Sequence, residues 1–343
     1  MTLRKRIDRI SPFWLGIGIG GTCLVILLVT ETVLGRWDPL ASEGGFDPLA
    51  RVSSGILRDL RLAIVHCLLI GYLPAAFLHV LQSGRRTVLV LQGALDCTRE
   101  ECEALAASVR LSRRGLLITG LIGLALAFIT PYIVPPVPPT PWRPSTWSPE
   151  VVWHRILSPA VNVWVWWLVY VVVAVSLRLS RLARKLSRID LLDLSPLSPF
   201  TRQGLTNALA VIGLLSISSL MLLETGLGRI VAGMGGATLV VATLALLAPV
   251  GGVHQRIRLA KQAELDRVNG SIAKQRSAME YQDARRRSGE MADLVAYRGL
   301  IESVSEWPFT TSTYARLFLY MLIPVASWLL GAVAEEVVGR ALF

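Results

Sequence analysis

Seven blocks of about twenty residues, nearly free of charge, recur along this chain. They are 13–34, 62–81, 115–134, 152–177, 204–223, 228–250 and 317–338. At about 1.5 Å of rise per helical residue, each reaches across a hydrocarbon layer of about 30 Å. A backbone in hydrocarbon must satisfy its own hydrogen bonds, so such blocks become helices. The expected fold is therefore an all-α, polytopic transmembrane bundle of about seven spans. Composition agrees: 53% of the 343 residues are hydrophobic and 17% are charged, against roughly 25% charged in soluble domains.

Basic residues set the orientation. The net charge is +11. With the N-terminus in the cytoplasm, cytoplasmic segments hold Arg4, Lys5, Arg6 and Arg9, then Arg85 and Arg86, the run from Arg178 to Arg202, and ten more residues from Arg256 to Arg298. The other side holds only scattered arginines such as Arg36, Arg143 and Arg229. The excess of Lys and Arg in cytoplasmic loops predicts N-in and C-out, in an inner (plasma) membrane. It also accounts for the charge without nucleic acid, since no basic stretch is interleaved with aromatics. The first block is longer than a signal-peptide core of roughly 7–15 residues, so it is expected to stay as a span.

Three units follow: spans one to six over 1–252, a cytoplasmic helical hairpin over 253–306, and the last transmembrane helix over 307–343. In the hairpin, Leu265, Val268, Ile272 and Met279 fall at coiled-coil-like spacing. A second stripe runs through Met291, Leu294, Arg298 and Ile301, with Val295 and Val304 alongside. Two antiparallel helices are predicted, with apolar stripes to share with each other, a second copy or a cytoplasmic protein partner. Pro308 should break the helix, and the hydroxyls of residues 310–313 are placed to cap the next one. Trp307, Pro308 and Arg316 thus mark a joint between hairpin and last span.

Local signals are clear elsewhere. Asp47-Pro48 predicts a helix start, and Thr98 with Glu101 predicts a capping box opening a helix to about residue 110. Gly16 and Gly20, four apart, predict close helix packing. Trp164, Trp166, Trp167 and Tyr170 lie within the fourth block, to face lipid, pack in the bundle or form an aromatic cage. The proline-rich stretch 130–149 predicts a stiff extended connector. Residues 194–200 are expected to run along the membrane surface. Cys97 and Cys102 lie in a segment placed in the cytoplasm, where disulfides are rare, so none is expected.

Enzyme motifs are not found: no zinc-spaced histidine pair, phosphate loop, dinucleotide fingerprint or nucleophile elbow. No catalytic residue, metal or cofactor is expected. Polar residues in spans are the remaining clue. Glu31, His66, Glu224, Glu335 and Glu336 map near the outer surface, where together they could form an acidic mouth for cations; Asn162 lies deeper. Tyr320, Pro324, Ser327, Gly331 and Glu335 share one face of the seventh block, which makes it the pore candidate or a small-residue packing face.

Residues 190–200, from Asp190-Leu191-Leu192-Asp193-Leu194 to Pro199-Phe200, and Glu306-Trp307-Pro308-Phe309 through Pro324, Ser327 and Trp328, resemble uncharacterised bacterial inner-membrane proteins. That resemblance implies architecture without an activity. Seven spans with long cytoplasmic helices before the last, and Thr313-Tyr314 opening that last helix, resemble insect gustatory and odorant receptor-like channels at the level of topology. This would imply tetramers with a pore lined by the last helix. The expectation is a channel-like or sensory homo-oligomer in the lipid bilayer. A non-conducting scaffold or signalling partner is the alternative, and a secondary transporter the third.

Overall fold

The computed structural model describes residues 10–33, 48–95, 98–108, 111–133, 149–186, 189–220, 228–279 and 284–342. Among these the chain is all-helical, with no strand. In chain order the helices are α1 (Pro12–Val33), α2 (Pro48–Val90), α3 (Gln92–Leu95), α4 (Arg99–Ser108), α5 (Arg113–Ile133), α6 (Pro149–Ala183), α7 (Ser198–Ser219), α8 (Gly228–Met279), α9 (Ala284–Ser303) and α10 (Thr311–Leu342). A 3-10 turn, Ser195–Leu197, leads into α7.

The described residues of the seven apolar blocks fall on helices, apart from Leu220, which caps the end of α7. Among the described residues, four stretches are long and apolar enough to cross a membrane: Pro12–Thr30, Arg61–Val90, Arg155–Ala183 and Leu239–Ser277. Several helices run well beyond their blocks. Helix α2 begins at Pro48, as the Asp-Pro signal predicts, and continues for 43 residues. The sixth apolar block and the first arm of the hairpin are one uninterrupted 52-residue helix, α8. Its rise is about 78 Å.

The centre is formed by α2, α6, α7 and α8. Leu73, Val80, Val171, Val175, Phe200, Val253 and Ile257 are fully or almost fully buried there. Packing in an apolar layer depends on close backbone approach rather than on escape from water. The glycines supply that approach. A Cβ on Gly71 would lie 2.7 Å from Gly16 O, and one on Gly20 would lie 3.2 Å from Cys67 O. The α1–α2 crossing therefore uses the Gly16 and Gly20 pair as expected. Gly204 brings α7 against α8, where its Cβ would meet Leu246 O at 2.4 Å. Gly252 brings α8 against α6, where its Cβ would meet Ser180 O at 1.9 Å.

Helix α5 packs on α6 through the aromatic run. Trp167 Nε1 donates to Leu116 O (2.9 Å) and Ser112 N donates to Tyr170 Oη (3.1 Å). Trp164 meets Phe77 of α2 edge-on, with ring centroids 5.8 Å apart. These three rings are used for helix packing, one of the expected outcomes.

The capping box is present. Thr98 N donates to Glu101 Oε2 (2.9 Å) and Glu101 N donates to Thr98 Oγ1 (3.3 Å). The Thr98 amide holds the Glu101 carboxyl below its ordinary pKa. One expectation is corrected here. Cys102 is disulfide-bonded, whereas Cys23 and Cys67 are free thiols; an argument from compartment carries no information about local geometry. Leu191 and Leu197 are buried in the core, while Leu192 is exposed.

The hairpin is antiparallel, with α9 returning along α8. Ile301 is buried at its base and Val268 midway along it. Glu264 joins the two arms, accepting from Tyr297 Oη (2.9 Å) and from Arg267 Nε (3.0 Å). The Arg267 guanidinium, foremost, holds the Glu264 carboxyl below its usual pKa. The second stripe is corrected in one respect: Arg298 and Val295 are exposed, and Arg298 pairs with Glu302 (2.9 Å). Tyr297 takes the inward position, because an aromatic body with a polar tip suits a half-buried helix seam better than a guanidinium.

Candidate functional site

Among the described residues, segment 304–310, between α9 and α10, is a densely bonded non-helical stretch. Helix α9 ends at Ser303, before Pro308 is reached, and the aromatic residues of the segment seal the break. The Trp307 ring stacks on His254 of α8 (4.1 Å, 9° between planes) and on Phe309 (5.5 Å, 7°). Tyr314 of α10 meets Phe309 edge-on at 5.7 Å. One aromatic column thus links α8, the joint and the first turn of α10.

Hydrogen bonds fix the column to three helices. His254 Nδ1 donates to Glu306 O (3.1 Å), since a carbonyl can only accept. Lys261 Nζ donates to Glu302 O (2.7 Å) and Val304 O (2.8 Å), satisfying carbonyls that the end of α9 would otherwise leave open. Thr201 Oγ1 of α7 donates to Pro308 O (3.1 Å). The hydroxyls of residues 310–313 behave differently from the expectation. Thr310 Oγ1 bonds Ser312 Oγ (2.8 Å) and Thr313 Oγ1 (3.2 Å), and the Thr310 carbonyl accepts from Thr313 N (2.9 Å). Pro308 is buried, Trp307 half-buried and Arg316 exposed.

A second polar feature lies two residues along α7 from Thr201. Gln203 Nε2 donates to Asn207 Oδ1 (2.8 Å), and Asn207 Nδ2 donates to Ser176 Oγ of α6 (2.9 Å). Gln203 Nε2 also reaches Val80 O of α2 at 3.5 Å. Gln203 and Asn207 are fully buried and Ser176 nearly so. Gln203 Oε1 accepts no hydrogen bond among the described residues. This line crosses α2, α6 and α7 where they meet, one helical turn inside the joint. Sequence reasoning passed over it, although two amides four apart in an apolar helix were a readable signal. Asn207→Leu should destabilise the bundle by about 1–2 kcal/mol. The double variant with Gln203→Leu should cost less than the sum of the single changes, read by unfolding titration in detergent.

Of the expected mouth and pore residues, the side chains of His66, Tyr320 and Pro324 are among the described ones. His66 is buried on α2, its Nδ1 donating to Leu62 O (2.7 Å) one turn earlier. Tyr320 packs with Leu317, Met321 and Ile323 against Leu205, Ala208 and Ile212 of α7, and Pro324 is half-buried. The side chains of Glu31, Ser327, Gly331, Glu335 and Glu336, and the whole of Glu224, lie outside the described residues. Asn162 donates to Ser158 O of its own helix (2.9 Å). No group of three metal-ligating side chains occurs among the described residues.

No family model, curated protein or solved structure matches this chain.

Proposed function

We propose that this is a multi-pass inner-membrane protein of seven spans, N-terminus in the cytoplasm, that works as a non-conducting scaffold or signalling partner. Its α8–α9 hairpin presents a docking surface to a cytoplasmic protein. The joint at residues 304–310 supports this reading most directly. It ties the hairpin base to α7 and α10 through Thr201, His254, Lys261 and the Trp307 column. Binding at the hairpin would therefore be felt in the membrane helices. The hairpin also offers exposed apolar side chains, Val295 and Leu300. The packing of Tyr320 against α7 favours an internal role for that face over a pore lining.

A photo-crosslinker at residue 295 should capture one cytoplasmic protein in cells, and Leu300→Asp should abolish that adduct. Equal labelling of both chains, or none, would remove the reading. The second reading, a channel-like homo-oligomer, draws on the exposed apolar face of α10 at Phe318, Leu319 and Leu322, where another copy could pack. A cation conductance in planar bilayers, altered by Glu335→Gln and Glu336→Gln, would establish it instead.

A further inference from the structure

Helix α1 packs chiefly on α2, and only 6% of its apolar stretch is buried. Beside it, between α1 and α7 and floored by α2, lies a groove with a cavity volume of about 620 Å³. Ile17, Leu24, Leu68, Leu209 and Ile217 are among its lining residues. Tyr72, the main polar group on the floor, turns its hydroxyl into the protein and donates to Ala210 O (2.9 Å). The wall left facing the groove is apolar, and water does not occupy such a volume stably.

The groove has direction. Along α2 it runs from Ile64 to His79, about 22 Å of helix, against about 15 Å for one leaflet's hydrocarbon. One end carries positive charge: Arg86 is exposed there, two turns beyond the exposed His79 on the same face of α2. Across the gap, Thr206 lines the groove and donates to Arg202 O (3.1 Å), with Arg202 itself exposed one turn beyond. Gln82 donates to Ile10 O (3.0 Å), which pins the start of α1 at this same end. An apolar slot somewhat longer than one leaflet's hydrocarbon, opening between basic side chains, suits one acyl chain of a lipid with an anionic head.

We infer that the groove between α1 and α7 holds one acyl chain of an anionic phospholipid from the surrounding bilayer, its phosphate at the Arg86 and Arg202 end. The inference rests on the membrane-spanning reading above and is independent of any partner or conductance. The charge sets the choice of headgroup and the cavity sets the stoichiometry.

Gly21 allows a clean test, because it lines the groove and a Cβ there meets nothing within 4 Å. Gly18 is equally open but is not among the groove residues. The full chain is placed in nanodiscs of equal phosphatidylcholine and phosphatidylglycerol and released for native mass spectrometry. The wild type and Gly18→Trp should each carry one phosphatidylglycerol, and Gly21→Trp should carry none. Arg86→Glu with Arg202→Glu should keep one lipid but lose the preference for phosphatidylglycerol. The charge-reversal pair lies outside the apolar packing, so it stays decisive should the tryptophan variant misfold. Equal lipid on wild type and Gly21→Trp, a wild type indifferent to headgroup, or a lipid-free dimer with a second copy in the groove would each overturn the inference. A chain that stays dispersed without detergent or lipid would instead overturn the membrane-spanning reading itself.

Discussion

Gly252→Ala should destabilise the protein by about 3 kcal/mol, at the upper end of what a single added methyl group costs in a packed interior. The new Cβ would lie 1.9 Å from Ser180 O and 2.7 Å from the Ser180 carbonyl carbon. Both atoms are backbone, so no side chain can rotate away. Helices α6 and α8 would have to separate, loosening the contact beside the fully buried Val253 and Val250. The neighbouring residue is the control. A Cβ on Gly251 meets nothing within 4 Å, and replacing glycine inside a helix gains up to about 1 kcal/mol. Gly251→Ala should therefore be neutral or stabilising. Unfolding titrations of both variants in mixed detergent would measure the difference; equal stabilities would contradict the close α6–α8 approach.

Trp307→Ala should rank next, at about 2–3 kcal/mol. Removing a fully buried Trp or Phe side chain costs roughly 3–5 kcal/mol, and Trp307 is only half-buried. The energy matters less than its location. The ring lies between His254 and Phe309, so its loss leaves the α9 end held by Lys261 and the His254–Glu306 bond. Amide exchange should accelerate in residues 298–310 and stay unchanged in α5, which packs on the far side of α6. Trp307→Phe should recover most of the protection because it restores a stacked ring. Uniform acceleration over the whole chain would show that the joint has no local role.

Much of the fold was legible because membrane helices announce themselves by long apolar runs, and because caps and prolines mark ends. Pro48, the Thr98–Glu101 box, the Gly16 and Gly20 pair and the joint at Trp307-Pro308 all appear in the structure where the residue chemistry places them. What was not legible depends on the neighbouring helix. Nothing in the local sequence separates Gly252, jammed against Ser180, from Gly251, which faces open space. Arg298 sat on the apolar stripe by spacing, yet Tyr297 packs inward, because a shift of one position in a helix moves a side chain by about 100°. The candidate site was only half visible. The joint could be read from Pro308 and its aromatic neighbours. The Ser176–Asn207–Gln203 line needed α6 and α7 to be set side by side before its members became one network.

The unbroken length of α8 has a mechanical consequence. From Gly252, wedged against α6, to Met279 the helix continues as one piece for about 40 Å. Wedged on α6 at Gly252 and tied to the joint at His254 and Lys261, the helix acts as a lever whose fulcrum is that short stretch. Each degree of tilt there sweeps the far end through about 0.7 Å over that length. Rearrangements too small to break any contact in the bundle would thus be geared up at the tip, and a push at the tip would return to the bundle with high force and little travel.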